Sequence, residues 1–465
     1  MTQGKARTPA SVLAELQKLL GDRLSTSSAV RDHHSHDESY HESAAPDAVA
    51  YPETTDEVRA IVSLCAASSV PVVSFGAGTS LEGHVAAVRG GVCIDMTRMK
   101  RVLRVSPEDM DGTVQAGITR LQLNQALSGS GLCFFIDPGA DATIGGMVST
   151  RASGTTAVRY GTMRENVLGL SVVLADGSLI HTGGRARKSS AGYDLTRLFV
   201  GAEGTLGVIT EVTLRLHPVP EATSAAVCAF ASIAGAVDTS TAIIQAGLPV
   251  ARVELLDEKQ IEASNKFSGL ELEVAPTLFF EFHGASERNV VEQAEMAQEF
   301  SRDNGGASFR FSTRPEERSR LWKARHEAYY AALAMRPGSK GWATDVCVPI
   351  STLTEAIVAA KRDLDASPIT GTVVGHVGDG NFHMLYLVDP AKPGELEEAQ
   401  RLNDLLVLRA LEVGGTCTGE HGIGLGKTKY LLREHGAGVA VMRALKQALD
   451  PKGIMNPGKI FGDLA

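Results

Sequence analysis

The sequence predicts an α+β protein of more than one domain. Its 465 residues exceed one ordinary domain. Helical and strand patterns alternate from 51 to 217 and stop at the prolines of HPVP (217–220). From about 221 the pattern changes to strands separated by long helices, which reads as α+β with an antiparallel sheet.

The elements follow in order. ASVLAELQKLLGD (10–22) has helical spacing and makes 1–44 an N-terminal helical segment. TTDEVRAIVSLCAASS (54–69) is an amphipathic helix with a polar entry. VPVVSFG (70–76), GGVCIDMT (90–97) and DGTVQAG (111–117) are short strands, and ITRLQLNQALSGSG (118–131) is a helix ended by glycine. NVLGLSVVLADGSLIHTG (166–183) is a hairpin around Asp176-Gly177, and GVITEVTLRLHPVP (207–220) is a strand ended by its prolines. LFFEFHG (278–284) is a strand of the second half, whose helices are expected at 286–303, 315–335, 352–365 and 394–413. Thr313 and Glu316 have capping-box spacing, and Pro315 suits a first turn. The expected division is 1–44, a domain at 45–220, a second at 221–450 and a tail at 451–465.

Composition excludes several classes. Net charge is −9 with no basic block, which argues against nucleic acid. No apolar run approaches the ~20 residues of a membrane helix, and the N-terminus lacks an apolar signal core. The six cysteines are scattered with no C-x-x-C pair, against a zinc ribbon, an iron–sulfur cluster or a disulfide framework. Reduced thiols make a cytoplasmic location the expectation. A peripheral membrane contact and a homodimer stay open.

Glycine clusters in three stretches: SFGAGTSLEGH (74–84), DPGADATIGGMVSTRASGTTAVRYG (137–161) and FVGAEGTLGVIT (199–210). The first is a poor dinucleotide fingerprint, because Leu81 stands at the third glycine position. Consecutive small residues still expose several backbone N–H groups, which suits a pyrophosphate. One such stretch alone reads as a tight turn; three beside strands point to a large ligand laid across the domain. TGEHGIGLGKT (418–428) ends like a P-loop, but His421 occupies the position where that motif requires glycine.

GTVVGHVGDGNFHMLYLV (371–388) is a hairpin pattern around Asp379-Gly380. A two-residue type I′ turn there pairs 376 with 383 and sets His376 opposite His383. Two half-buried inert histidines are one reading. With Glu420 as the carboxylate, the other is a two-histidine, one-carboxylate site for a divalent ion with open positions. His421 is then free to act as a base, and Lys427 adds positive charge or is simply solvated. Trp322, Arg325 and Tyr329 share a helix face (i, i+3, i+7). Arg325 suits a carboxylate bidentately, although spacing alone leaves solvent exposure equally open.

The order of the glycine stretches resembles the FAD-binding domain of the vanillyl-alcohol oxidase family, the p-cresol methylhydroxylase type, which is built from two subdomains. The resemblance implies FAD held by Gly76, Ala77, Gly78, Thr79, Ser80 and Gly83 at the pyrophosphate. Pro138, Gly139, Thr143, Gly145, Gly146, Ser153, Gly154, Gly161, Glu203, Gly207 and Ile209 would surround the rest. Members with covalent flavin often carry histidine where Thr79 stands, so non-covalent FAD is implied. GHVGDGNFH, TGEHGIGLGK and DPKGIMNPGKIF (450–461) resemble the FAD-linked oxidase C-terminal, or substrate (cap), domain. That domain occurs in cytochrome-linked mitochondrial-type D-lactate dehydrogenases, glycolate oxidase flavoprotein subunits and D-2-hydroxyglutarate dehydrogenases. LWKARHEAYYAALAMRPGSKGWATDVCVPI (321–350) is most similar to the first group.

The implied roles are a divalent ion (zinc, manganese or iron) on His376, His383 and Glu420, His421 as base, Arg325 as substrate-carboxylate clamp with Trp322 and Tyr329 beside it, and Asn456 returning to the flavin. The implied activity is oxidation of a D-2-hydroxy acid, foremost D-lactate to pyruvate. His421 would take the hydroxyl proton, the Cα hydride would pass to FAD, and electrons would leave to a cytochrome, a quinone or an electron-transfer flavoprotein. Ala343 occupies the place of a lysine that would hold a second carboxylate, with Lys340 nearby, which weakens D-2-hydroxyglutarate. Glycolate and D-2-hydroxy acids with longer carbon skeletons stay open. A metal-dependent hydrolase would leave the glycine stretches without a purpose, and a non-catalytic flavin module would leave the histidine hairpin without one.

Overall fold

The computed structural model describes residues 7–462. The described residues divide into two compact units: the first holds 7–153, Gly161–Val219 and 420–462, and the second holds Gly154–Tyr160 and Pro220–Gly419. The boundary expected at 450 therefore falls at 419/420. The glycine-rich run after 420 packs on loops of the first unit, as the site geometry below makes clear.

The first unit contains two main sheets. Leu24–Ser25 (β1), Ala48–Ala50 (β2), Val72–Phe75 (β3) and Val92–Asp95 (β4) lie in the order β1-β2-β4-β3. β2 and β3 both run parallel to β4. Parallel strands need a crossover, and the helix Thr55–Ala67 lies between β2 and β3 in the sequence. Its start is set by Thr54, whose side chain accepts the Glu57 N–H, and it buries Val58, Ile61, Val62 and Cys65 at helical spacing.

Val102–Ser106 (β5), Asp111–Gln115 (β6), Val167–Val173 (β8), Leu179–Gly183 (β9) and Val208–Arg215 (β10) form an antiparallel sheet in the order β5-β6-β10-β8-β9. Leu132–Cys133 (β7) pairs with His217–Pro218 (β11). The Asp176-Gly177 turn forms as expected, with Gly177 at φ 85°. The C-terminus returns to β3: the Val72 N–H donates to Ile454 O at 2.8 Å and the Asn456 N–H to Val72 O at 2.8 Å.

The second unit is built on one antiparallel eight-stranded sheet: Ala222–Phe230 (β12), Val250–Leu256 (β13), Thr277–Gly284 (β14), Gly306–Ser312 (β15), Lys340–Ala343 (β16), Val346–Cys347 (β17), Thr370–His376 (β18) and Asn381–Val388 (β19). The order is β15-β12-β14-β13-β18-β19-β16, with β17 also paired to β19. Every residue of β19, and of β14 up to His283, is buried, which is why these strands read as apolar runs rather than clean alternations.

Two details differ from expectation. The helix expected over 315–335 is two helices, Pro315–His326 and Ala328–Met335, separated at Glu327. Its N-cap is Arg314, with no side-chain cap bond, rather than Thr313. A residue before proline is driven to extended backbone, so Arg314 at φ −69°, ψ 125° cannot join the helix and becomes its cap. No helix of the described residues is long and apolar enough to cross a membrane.

Candidate active site

In the second unit the histidine hairpin forms, but in a different register. His376 pairs with Asn381, and Val374 with His383. The loop is therefore Val377–Gly380, not Asp379-Gly380 alone. A type I′ turn needs positive φ at both central residues, and only Gly380 has it, at φ 83°. Instead the Asp379 N–H donates to His376 O at 3.0 Å, closing a longer turn. The slip is by two residues, so both histidines keep the same face. Their rings meet edge to face, with centroids 5.4 Å apart.

Each ring is anchored through Nδ1. That of His383 lies 2.8 Å from Thr344 O, and that of His376 lies 2.8 Å from Glu254 Oε1. A carbonyl and a carboxylate only accept, so both Nδ1 atoms carry protons, and a neutral ring held in this way has its lone pair on Nε2. Around them, Asn381 Nδ2 donates to Asp345 Oδ1 at 2.7 Å and Thr418 Oγ1 to Asp345 Oδ2 at 2.6 Å.

Arg325 is buried, and its Nη2 stands 2.5 Å from Glu254 Oε2. Solvent exposure, the alternative left by spacing, is thereby excluded. The shared face with Tyr329 is lost at the break after His326. Trp322 instead packs with Val227, Leu256, Ile261 and Phe279, under the Arg252 guanidinium at 4.5 Å, and Tyr329 packs against the cluster of Ala332, Leu385 and Leu387. Gly154 lies in this unit and is buried. Glu254, Asp345 and Asn381 carried no sequence signal beyond period-two placement of 381 with 383.

In the first unit, Glu420 and His421 sit side by side, Oε1 to Nε2 3.9 Å. The glycines after them lie in close approach, Gly424 to backbone and Gly422 and Gly426 to glutamate side chains. A Cβ on Gly422 would stand 2.7 Å from Glu203 Oε1, one on Gly424 2.1 Å from Glu82 O, and one on Gly426 2.3 Å from Glu82 Oε2. Glu203 accepts the N–H groups of Ile423 at 2.7 Å and Gly424 at 2.8 Å, and pairs with His84 Nε2 at 3.2 Å. Burial pushes the Glu203 pKa up, but His84 and the two N–H donors outweigh it and the net shift is down. Burial likewise lowers His84, and Glu203 outweighs it to leave the net shift upward. Lys427 is buried, 3.1 Å from Glu82 Oε1, and is not a solvated lysine. Asn456 Nδ2 donates to His84 O at 3.1 Å and Glu203 O at 2.7 Å.

The residues expected at the cofactor loop of this unit lie as follows. Gly76, Ala77, Gly78, Thr79 and Ser80 are all partly or fully exposed, while Gly83 is buried. A Cβ at Gly76 would lie 2.2 Å from Thr143 Oγ1, so only glycine fits there. Ser80 Oγ donates to Asp37 Oδ2 at 2.8 Å, and the same oxygen accepts the His84 N–H at 2.9 Å. Asp37, from the N-terminal segment, thus ties the loop; sequence reasoning missed it. Thr143 caps the helix Ile144–Thr150 through the Gly146 N–H, and Gly145 packs on Ala116, which a Cβ would meet at 2.6 Å. Gly161 has φ 74°, and Gly207 packs on Val172. Ile209 is buried, Ser153 and Pro138 are half-buried, and Gly139 is exposed.

A family model described as "FAD linked oxidases, C-terminal domain" matches residues 219–460, and one described as "FAD binding domain" matches residues 46–183. The chain is 52% identical to "Probable D-lactate dehydrogenase, mitochondrial" of Danio rerio, over 97% of this chain and 91% of that protein. It is 48% identical to "D-lactate dehydrogenase [cytochrome], mitochondrial" of Arabidopsis thaliana, over 98% of this chain and 81% of that protein. Its fold is that of p-cresol methylhydroxylase, with TM-score 0.78 and 18% identity, over 99% of this chain and 98% of that one. The expectation of a cytoplasmic location does not stand: these relatives are named mitochondrial. Reduced thiols do not distinguish the two compartments.

Proposed function

We propose that this chain, which belongs to the FAD-linked oxidase family, oxidises D-lactate to pyruvate on FAD and passes the electrons to an external acceptor. The observation that carries this is near-full-length similarity to proteins named D-lactate dehydrogenases. The FAD-binding domain supplies the cofactor, and the Gly76–Thr143 contact, which leaves no room for a side chain, fits a backbone cradle. The bound flavin supplies the hydride acceptor.

His376, His383 and Glu420 are the residues proposed to hold a divalent ion. Support comes from the two Nδ1 anchors, which aim both Nε2 lone pairs as ligating atoms, an arrangement usual for metal-bound histidine. Such an ion would supply Lewis-acid polarisation of the substrate hydroxyl. Arg325, rather than the core-packed Trp322 and Tyr329, binds the substrate carboxylate and orients Cα. His421 removes the hydroxyl proton as the Cα hydride leaves. Ala343 offers no charge, and Lys340 is exposed, so a monocarboxylate is favoured over D-2-hydroxyglutarate. The six cysteines are scattered thiols, so the reduced flavin passes its electrons to a cytochrome, quinone or electron-transfer flavoprotein.

The test is the visible spectrum of the purified protein before and after anaerobic D-lactate, then L-lactate. Bleaching of the oxidised-flavin bands by D-lactate alone is expected. EDTA treatment should slow it and a divalent ion restore it. A flavin spectrum untouched by D-lactate would sink the substrate.

A further inference from the structure

We propose that Glu254 is a positioning residue that couples His376 to Arg325, so that one carboxylate sets both the metal-ligand histidine and the substrate clamp. The inference rests on the roles proposed above for those two residues.

Glu254 lies on β13, fully buried. β13 pairs antiparallel with β18 through Leu255↔Gly375 and Leu256↔Val374. Continuing that register by one residue sets Glu254 beside His376, so the contact is fixed by the sheet and not by a flexible loop. Its two oxygens are divided: Oε1 accepts the hydrogen bond of His376 Nδ1 at 2.8 Å, and Oε2 forms a close ion pair with Arg325 Nη2 at 2.5 Å. A buried carboxylate that served only to neutralise Arg325 would not need the histidine. The asymmetry with His383 is informative. That ring is held by a neutral backbone oxygen, Thr344 O. His383 Nδ1 also stands 3.9 Å from Asp345 Oδ1, but that carboxylate is engaged by Asn381 and Thr418, whereas His376 Nδ1 is hydrogen-bonded directly to the carboxylate that faces the clamp. Because Glu254 accepts and never donates, it selects the tautomer with the proton on Nδ1 and the lone pair on Nε2. It also anchors one edge of the guanidinium, leaving the remaining N–H groups for a substrate carboxylate.

The experiment uses full-length flavoprotein carrying Glu254→Gln, which keeps the shape but lets the residue donate as well as accept. Three readouts are taken. Histidine nitrogen-15 spectra of the chelated protein should show His376 protonated on Nδ1 in the wild type and a mixture of tautomers in the variant. Titration with Mn²⁺ or Zn²⁺ should show affinity reduced about 10- to 100-fold, the effect expected for a lost second partner of a ligand. KM for D-lactate should rise about tenfold or more while FAD content stays at the wild-type level, because the clamp has lost its anchor. A purely structural role would instead lower FAD content and thermal midpoint and leave the tautomer alone.

A variant with wild-type tautomer, metal affinity and KM overturns the proposal. If wild-type protein takes up no divalent ion, the metal reading fails by itself, and the tautomer and KM still decide Glu254. Should Glu254→Gln not accumulate as flavoprotein, Glu254→Asp answers the same question. Its carboxylate is too short to reach both partners, so either the tautomer or KM must change, and no change in either overturns the coupling.

Discussion

At the scale of single residues, chemistry depends on what a side chain has left after its neighbours are served. Glu203 and Asn456 spend their side chains on backbone groups of the first unit, holding 84, 203 and 423–424 together. His421 is the residue proposed above for the proton transfer. Replacing His421 with alanine should slow anaerobic flavin reduction by D-lactate about 10²- to 10⁴-fold while FAD stays bound. Stopped-flow absorbance decides it, and wild-type reduction rates would remove His421 from the reaction. The residue types here were readable in the sequence, since histidine, glutamate and arginine are conspicuous. Their partners were not: Glu254 lies 122 residues from His376, and no local spacing connects them.

At the scale of elements, the hairpin shows where a turn rule stops. Asp-Gly between apolar runs does mark a hairpin, and one forms. The rule failed on loop length, because the His376 O to Asp379 N–H bond closes a wider turn and leaves positive φ to Gly380 alone. That glycine is doubly constrained: a Cβ there would stand 2.2 Å from Val348 O. Gly380→Ala should therefore cost about 1–3 kcal/mol and lower the thermal midpoint. Differential scanning calorimetry on the holoprotein checks this, and an unchanged midpoint would show that the turn relaxes. The helix start at 315 teaches a related lesson. Capping-box spacing pointed to Thr313, but the constraint proline places on its predecessor moved the cap to Arg314.

At the scale of the whole molecule, buried charge links segments far apart in the sequence. The His84–Glu203 pair makes stability depend on pH. The Glu203 pKa is lowered, so its contribution is present above its ordinary 4.5 and lost as pH falls through the folded value. The His84 pKa is raised, so its contribution is complete below 6.5 and lost as pH rises through the folded value. The two windows overlap between 4.5 and 6.5. His84→Gln should therefore lose most thermal midpoint, relative to wild type, between those values, and the gap should narrow at higher pH. Parallel melting curves from pH 5 to 9 would show that the pair carries no net titration.

The sequence by itself determined the α+β class, most element positions, the glycine-rich stretches and the residue types of the candidate site. These are local properties: periodicity, turn chemistry and small residues at fixed spacing are written in consecutive positions. The FAD-linked oxidase resemblance added the cofactor, which the family comparison bears out. Only the tertiary structure decided the hairpin register, the burial of Lys427 and Arg325, and the core packing of Trp322. It alone placed residues after 420 with the first unit and brought Glu254 against both His376 and Arg325. Each of these depends on long-range pairing, where strand register and burial, rather than neighbours in the sequence, choose the partners of a residue.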